Sequence, residues 1–313
     1  MIESVEKLDV KDKLEDNDND IKISNSDTIF SSLSGEKVEL DLNSLNTKKY
    51  FNPKNTKNII ILGMAGSGKT SFVNKFEETL ITKEKENYLI NLDPAVFDCI
   101  YEPNLDIRDT IKYKQVMESY NLGPNGAIIT SLNLFSTNIH KVVELLESKK
   151  TDEDNIEYVV VDTPGQLEVF SWSASGKLIS DSLALVYPTI LIYVMDLVRN
   201  QNPNVFVSNM LYALSIMYKM QLPLIIVYNK KDVVNEDLCV KWMKDYNLLQ
   251  TAINEQSDYI SSFSYSLCLT LEEFYKTIKF VAVSSKNGDG FEELLSCIDK
   301  IIENYNEEKF TNS

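Results

Sequence analysis

The chain has 313 residues, of which 43% are hydrophobic, and this is enough to bury the core of one large or two modest domains. Its formal net charge of −16 argues against nucleic acid as a direct ligand, because phosphate backbones are held by an excess of Lys and Arg. No apolar run approaches the length of a membrane span, and the N-terminus is acidic. We therefore expect no membrane segment and no signal peptide.

The cysteines are widely scattered, with neither paired nor metal-ligand spacing, at positions 99, 239, 268 and 297. Such cysteines are typical of reduced thiols in an intracellular protein, and we expect a cytoplasmic location, with the nucleus as a second compartment. Residues 1–56 are rich in Asp, Asn, Lys and Ser, and their few apolar residues show no period. This segment cannot bury enough surface to offset its ordering entropy, so we predict a disordered acidic extension, with a docking tail as the alternative.

The first strong motif is the P-loop pattern Gly-Met-Ala-Gly-Ser-Gly-Lys-Thr at residues 63–70. It follows the apolar run 59–62 and precedes a helical pattern, which is the context that a P-loop requires. Glycines let the backbone curl around a polyphosphate, and the start of the helix favours the same anion. Lys69 is expected to reach the β- and γ-phosphates, and the Thr70 hydroxyl to ligate Mg²⁺. The predicted phosphate-binding residues are Gly66, Ser67, Gly68, Lys69, Thr70 and Ser71; an ordinary glycine-rich turn is the alternative.

Two carboxylates follow the P-loop helix. A strand predicted over 88–92 ends at Asp93, where parallel sheets place their ligands, although Asp-Pro is equally an ordinary turn. Asp106 lies near the start of a helix, so capping accounts for it, and a role beside Mg²⁺ is the sharper alternative.

Gly123, Pro124 and Asn125 form a pattern that, taken alone, predicts a turn between two helices. The apolar spacing after this turn predicts one long amphipathic helix that includes residues 128–146. The lone His140 on this helix is expected to be solvated.

The second strong motif is Asp-Thr-Pro-Gly-Gln at 162–166, directly after the buried-strand pattern 158–161. Asp162, at a strand end, would hold Mg²⁺ or its water, and the Gly165 amide would contact a γ-phosphate. Gln166 lies where GTPases place the residue that orients the attacking water. A simple turn is the alternative, which the upstream P-loop makes less favourable.

The third motif predicts the base. Asn229, Lys230 and Asp232 follow a strand predicted over 224–228 and match the Asn-Lys-any-Asp motif of GTPases. The Asp232 carboxylate accepts from guanine N1–H and the exocyclic amine, whereas adenine would leave this carboxylate unpaired. Ser284 ends the strand predicted over 280–283 and opens a weaker motif whose backbone contacts guanine O6. A further strand is predicted over 189–195, a helical insertion over 236–278, a closing helix over 291–302 and a polar tail over 306–313.

Residues 57–305 resemble the GPN-loop GTPases, which are named for a Gly-Pro-Asn insertion, and among them the first eukaryotic paralogue, associated with RNA polymerase II. Besides the P-loop, the segments that carry this resemblance are 91–96, 106–113, 122–126, 162–170, 172–176 and 193–196. The resemblance implies an α/β P-loop NTPase fold related to the signal-recognition-particle GTPases, with a mostly parallel sheet flanked by helices and the helical insertion noted above.

The resemblance also implies a homodimer, or a heterodimer with a paralogous subunit, in which each Gly-Pro-Asn loop enters the partner's nucleotide site. The loop residues Gly123 and Pro124 would then bring Asn125 to the γ-phosphate bound by the partner subunit. This role would replace the interpretation of the segment as a simple turn between two helices. Arg108 and Arg199 are the only arginines, so an amide fits an assisting group supplied in trans better than an arginine does. The implied catalytic residues are Gln166, Asp93, Glu168, Asn125 and Asp106, with Thr70 and Asp162 as metal ligands and GTP or GDP with Mg²⁺ as the bound species.

The family's role implies RNA polymerase II biogenesis, in which the chain would bind polymerase subunits or assembly factors and move between cytoplasm and nucleus. The chain departs from the family in its acidic N-terminal extension and in its short polar tail. Two other functions stay open: a non-catalytic scaffold gated by a nucleotide, and an ATP-using relative of the same fold.

Overall fold

The computed structural model describes residues 56–148, 156–255, 271, 274–275 and 277–311. All of them belong to one unit, Lys49–Ser313. The predicted disordered extension lies outside the described residues except for Thr56. Residues 256–270, 272–273 and 276 of the predicted helical insertion and residues 312–313 of the predicted tail also lie outside them.

The described residues contain a seven-stranded sheet whose neighbouring strands are all parallel, in the order β3-β2-β4-β1-β5-β6-β7. The strands are β1 (Lys57–Gly63), β2 (Asn87–Asn91), β3 (Leu105–Asp106), β4 (Tyr158–Asp162), β5 (Thr189–Asp196), β6 (Leu224–Asn229) and β7 (Lys279–Ala282). This is the parallel α/β fold that the sequence predicts. Because all the strands point the same way, the residues that follow them meet at one edge of the sheet.

The helices cover both faces of the sheet. They are α1 (Lys69–Thr82), α2 (Ile107–Thr110), α3 (Tyr113–Tyr120), α4 (Pro124–Ser136), α5 (Ile139–Ser148), α6 (Leu167–Ser171), α7 (Ala174–Val186), α8 (Pro203–Met220), α9 (Asp237–Lys244), α10 (Tyr246–Asn254) and α11 (Phe291–Thr311). Helices α9 and α10 lie within the predicted helical insertion.

Two apolar clusters hold the sheet between its helices. Along β1, Ile60 and Leu62 pack on the face covered by α4, α7 and α8, whereas Ile59 and Ile61 pack on the face covered by α1 and α11. Alternate residues of a strand point to opposite faces, so a strand covered on both sides is apolar throughout. This explains why β1, β4 and β5 read as continuous hydrophobic runs in the sequence.

The single long helix predicted over 128–146 is wrong, because α4 ends at Ser136 and α5 begins at Ile139. At the break the Thr137 hydroxyl donates to Leu134 O at 2.7 Å and Asn138 N–H donates to Phe135 O at 3.0 Å. Such local bonds compete with the next helical turn. The apolar period continues through the break, so periodicity alone does not reveal it.

Candidate functional site

The P-loop joins the end of β1 to the start of α1. Gly66 and Gly68 have φ angles of 79° and 88°, a left-handed conformation that glycine adopts without a steric cost. The Lys69 ammonium folds back and donates to Gly63 O at 2.8 Å and to Met64 O at 3.2 Å. Burial lowers the Lys69 pKa, and the charges of Asp162 and Asp93 oppose that shift.

A cavity of about 230 Å³ lies at this edge of the sheet and brings together three segments that are distant in the sequence. Its lining comes from the P-loop, from the end of β2 and from the segment after β4: Gly66, Gly68, Lys69, Thr70, Ser71, Asp93, Thr163 and Gly165. All of the predicted phosphate-binding residues except Ser67 therefore line the same cavity as Asp93, the predicted catalytic carboxylate. The geometry suits a polyphosphate, because the P-loop backbone and one lysine converge on it.

Asp93 links two of the segments that line the cavity. Its carboxylate accepts from the Gly165 N–H at 3.2 Å and from the Ala95 N–H at 2.9 Å. The Gly165 amide, predicted to contact a γ-phosphate, thus donates to Asp93 in this structure. Asp93 stands at a strand end beside the cavity, as the sequence predicts.

Asp162 is buried at the end of β4, and its two oxygens have different surroundings. Its Oδ2 accepts from the Tyr101 hydroxyl at 2.8 Å, whereas Oδ1 is buried without a partner among the described residues. Burial raises the pKa of Asp162 to about 6, and the Asp93 charge adds to this shift. The Tyr101 hydroxyl, the Lys69 charge and the backbone N–H of Thr163 oppose it. The next residue, Thr163, is fixed by a 2.6 Å bond from its hydroxyl to Ile61 O.

The oxygen atoms of Asp162 and Thr70 are suitable ligands for Mg²⁺. The described residues contain no cluster of three or more His, Cys, Asp or Glu side chains that could enclose a metal ion. Mg²⁺ does not need such a cluster, because it usually keeps several waters and takes one or two protein oxygens together with phosphate oxygens. The partnerless Asp162 Oδ1 is an oxygen of this kind. Thr70 lines the cavity together with Thr163, the residue that follows Asp162.

The predicted base-binding residues are not part of the cavity lining, and two of them contact the P-loop. Asn229 is buried and braces the loop, since its Nδ2 donates to Ser67 O at 3.0 Å while its Oδ1 accepts from the Ser285 hydroxyl at 2.8 Å. Asp232 is exposed and accepts from the Ser284 hydroxyl at 2.8 Å. The carboxylate is therefore oriented and remains open to a ligand.

Lys230 connects the same motif to a residue that sequence reasoning missed. Its ammonium donates to Asp196 Oδ2 at 2.7 Å and to Gly66 O at 3.3 Å. Asp196 ends β5 as Asp162 ends β4, and this position at a strand end was the available signal. Arg199 adds a 3.3 Å bond to Ala65 O, so two cations support the P-loop from outside the cavity. Tyr101 was also missed, and its loop position carries no signal in the sequence.

The remaining catalytic candidates stand at the surface. Gln166 and Glu168 are exposed at the start of α6, and Gly123, Pro124 and Asn125 are exposed at the start of α4. The Tyr113 hydroxyl donates to Pro124 O at 3.2 Å. Among the described residues, no hydrogen bond joins Asn125 to the cavity.

Asp106 differs from these candidates because it is buried and its oxygens are engaged. It caps α2 by accepting from Arg108 N–H at 2.8 Å, and it accepts from the Arg108 guanidinium at 2.7 Å and from Asn91 at 3.1 Å. The pKa of Asp106 is lowered by these bonds despite its burial. The contacts agree with the capping alternative, and a catalytic role for Asp106 stays a prediction.

The three described cysteines, Cys99, Cys239 and Cys297, are free thiols. Across the part of the chain that the structure describes, no helix combines the length and apolar character needed to cross a membrane.

Residues 61–304 match a protein-family model described as "Conserved hypothetical ATP binding protein". GPN-loop GTPase 1 of Saccharomyces cerevisiae is 50% identical over 259 residues, which cover 80% of this chain and 66% of that protein. GPN-loop GTPase 1 of Schizosaccharomyces pombe is 46% identical, with 80% and 70% covered. The apo crystal structure of the GTPase PAB0955 from Pyrococcus abyssi superposes with a TM-score of 0.65 at 26% identity, covering 78% of this chain and 96% of that one.

The chain spans less than two thirds of the length of several of these relatives. It covers 66% of the Saccharomyces cerevisiae protein and 62% of GPN-loop GTPase 1 from Dictyostelium discoideum, which is 47% identical over 248 residues.

Proposed function

Because the chain belongs to the GPN-loop GTPase family, we propose that it binds GTP with Mg²⁺ and hydrolyses the bond to the γ-phosphate. One observation carries this proposal: the P-loop, Asp93 and the segment that begins at Asp162 meet around one cavity. The Asp232 carboxylate, oriented by Ser284, lies in the segment after β6, next to Asn229, which contacts the P-loop. The phosphates and the base would therefore have separate sites at the same edge of the sheet.

The residues favour guanine over the adenine that the family description names. The Asp232 carboxylate is held by Ser284 at 2.8 Å and can accept from N1–H and from the exocyclic amine of guanine. Adenine has an acceptor at N1, so it would face the carboxylate without a proton between them.

In this proposal, different residues bind the phosphates, hold Mg²⁺ and orient the attacking water. The glycine-rich backbone and Lys69 would hold the β- and γ-phosphates, whose oxygens are better acceptors than the carbonyls that Lys69 now contacts. Thr70 and Asp162 would hold Mg²⁺, which when bound neutralises phosphate charge. Gln166 would orient the attacking water from its exposed position at the start of α6, with Asp93 and Glu168 nearby in the catalytic shell.

Replacement of Asp232 tests the base. Asp232→Asn should lower the affinity for GTP by about a hundredfold, because the amide offers a donor where guanine also offers donors. Xanthine carries a carbonyl in place of the exocyclic amine, so binding of xanthosine triphosphate should improve in the same variant. Titration with fluorescent nucleotides measures both. Asp237→Asn, an exposed carboxylate on α9, is the matched control; equal ATP and GTP affinity in the unaltered protein would contradict the proposal.

Replacement of Gln166 tests hydrolysis. Gln166→Ala should lower turnover by about a hundredfold and leave GTP affinity unchanged, because the amide acts on the water rather than on the bound nucleotide. Phosphate release under saturating GTP measures the first quantity. Unchanged turnover would favour the alternative in which the nucleotide acts only as a latch in a scaffold.

We also propose that the chain works as a dimer, with itself or with a paralogous GPN-loop GTPase, in RNA polymerase II assembly and nuclear import. The family resemblance and the exposed Gly123-Pro124-Asn125 segment support this role, since a partner can reach that segment. Polymerase subunits or assembly factors would be the partners, and the protein would shuttle from the cytoplasm. Affinity capture with a non-hydrolysable GTP analogue should enrich polymerase subunits over a GDP sample; equal recovery would contradict the nucleotide-gated role.

A further inference from the structure

The loop between β2 and β3 contains a buried tyrosine that contacts Asp162, one of the predicted metal ligands. Tyr101 is 4% exposed, and its hydroxyl donates to Asp162 Oδ2 at 2.8 Å. The two residues are 61 positions apart in the chain. Tyr101 belongs neither to the nucleotide-binding motifs nor to the proposed catalytic residues, so its contact with Asp162 has no role in the proposed function.

The Tyr101 hydroxyl engages only one of the two oxygens of the Asp162 carboxylate. Its second oxygen, Oδ1, is buried and has no hydrogen-bond partner among the described residues. Buried polar atoms in folded proteins are nearly always paired, so an unpaired carboxylate oxygen indicates a missing positive or donor group. A cation, or a water bound to one, satisfies such an oxygen.

A hydrogen bond to one oxygen also fixes the orientation of the other. A carboxylate on a freely rotating side chain presents either oxygen in many directions, whereas the phenol restricts it to one. Groups that hold a metal ligand in place in this way are known to change metal affinity by about ten- to a hundredfold when they are removed.

Tyr101 itself is held by an anchored loop. The Arg108 guanidinium donates to the carbonyl oxygens of Val96 at 3.2 Å and Phe97 at 3.1 Å, and it forms an ion pair with Asp106. At the other end of the loop, Asn104 N–H donates to Leu89 O at 2.9 Å. The phenol therefore approaches Asp162 from a segment attached on both sides.

We propose that Tyr101 is a positioning residue for Mg²⁺, holding the Asp162 carboxylate by Oδ2 so that Oδ1 is left for the metal or its water. This inference rests on the proposed GTP and Mg²⁺ site. It adds a residue that reaches the metal only through Asp162 and that belongs to the same loop as Asp93.

Tyr101→Phe removes one hydroxyl and keeps the ring. Release of fluorescent GDP is followed while Mg²⁺ is titrated, so that metal binding is measured without turnover. The Mg²⁺ concentration that gives half-maximal retention should rise by about tenfold, while GDP affinity in excess EDTA stays unchanged. Retention of the unfolding temperature shows that the variant is folded.

Tyr158→Phe is the matched control. Tyr158 is a buried tyrosine at the first residue of β4, the strand that ends at Asp162. Its hydroxyl accepts from the Lys57 ammonium at 3.2 Å, and neither residue lines the cavity. Its Mg²⁺ requirement should equal that of the unaltered protein. A double-mutant cycle adds Asp162→Asn: if Tyr101 acts through Asp162, Tyr101→Phe should cause no further rise in that background.

Three outcomes would overturn the inference. An unchanged Mg²⁺ requirement in Tyr101→Phe would reject it and leave the proposed GTPase function intact. A full additional rise in the Asp162→Asn background would show that Tyr101 does not act through Asp162. A failure of the unaltered protein to retain GDP at any Mg²⁺ concentration would reject the proposed function, and the inference with it.

Discussion

Asp162 is a carboxylate that folding places in an unfavourable environment. Burial raises its pKa from 3.8 to about 6, so ionising it in the folded protein costs more than in the unfolded chain. A raised pKa contributes stability that is present below about pH 4 and is lost as the pH rises through about 6. At neutral pH the folded protein without metal therefore carries an electrostatic cost, and a cation beside Oδ1 would relieve it.

Asp162→Asn should accordingly stabilise the metal-free protein at neutral pH. We expect a gain in the free energy of unfolding on the order of 3 kcal/mol at about pH 7.5 and little difference near pH 4, where the native carboxyl is protonated. Urea unfolding across this pH range, in EDTA, measures the difference. The added stability from Mg²⁺ and GDP should decrease in the same variant.

Asp237→Asn is the control, because this carboxyl is exposed on α9. A stability difference between Asp162→Asn and the unaltered protein that does not vary with pH would contradict the electrostatic explanation.

Among the elements, the P-loop depends on a contact with the residue that ends β6. A β-carbon at Gly68 would lie 2.6 Å from Asn229 Nδ2, the atom that donates to Ser67 O. Gly68 is thus required both by its positive φ and by the closeness of the Asn229 brace. The motif after β6 holds the phosphate loop in shape in addition to its proposed role toward the base.

The segment between β2 and β3 is a second element fixed from outside. Arg108 holds it by bonds to the carbonyl oxygens of Val96 and Phe97, and the Arg108 side chain is in turn held by Asp106. The Phe97 side chain is 90% exposed at the outer side of this segment. The same segment carries Asp93 and Tyr101, so its stability bears on the whole site.

Arg108→Lys should loosen this segment. A lysine keeps the charge but cannot form the fork of parallel bonds to Asp106 while also reaching two carbonyl oxygens. We expect chymotryptic cleavage after Phe97 to be about tenfold faster, because local opening governs cleavage at an exposed aromatic residue. Timed digestion with mass spectrometry measures the rate.

Arg199→Lys serves as the control for the loss of an arginine, since Arg199 contacts the P-loop at Ala65 O and not this segment. Equal cleavage rates in both variants would contradict the role given to Arg108.

At the scale of the whole molecule, the open question is whether Asn125 acts on a nucleotide bound by a second subunit. Asn125 is exposed in the first turn of α4, and none of the described hydrogen bonds connects it to the P-loop cavity. The in-trans mechanism implied by the family resemblance requires that a second subunit bring this amide to the nucleotide. It stays a prediction that solution measurements can decide.

We expect GTP turnover per subunit to rise with protein concentration and to fall by about a hundredfold in Asn125→Ala, as when one preorganised donor is removed from a transition state. GTP affinity should be unchanged, because each subunit binds the nucleotide with its own P-loop. Light scattering should show twice the monomer mass with a non-hydrolysable GTP analogue. Asn133→Ala, an exposed amide on the same helix, is the control. Turnover that is independent of concentration and of Asn125 would reject the mechanism.

The sequence by itself determined the motifs whose residues are consecutive. The P-loop at 63–70, Asp162 to Gln166 and Asn229 to Asp232 each follow an apolar run, and the structure places each at the end of a parallel strand. This could be predicted because a buried parallel strand reads as a continuous hydrophobic run and the chain must leave it at the ligand-binding edge. Local spacing therefore indicated the predicted nucleotide-binding residues, whereas the fold class was implied by the family resemblance.

Only the tertiary structure decided how these segments support one another. The bond from Tyr101 to Asp162 spans 61 residues, and the brace from Asn229 to Ser67 spans 162. The break between α4 and α5 likewise interrupts a helical period that the sequence continues. The physical reason is that periodicity and spacing indicate which side of an element is buried. The hydrogen-bond partner of each buried polar atom depends instead on which strands and loops lie next to one another in the fold.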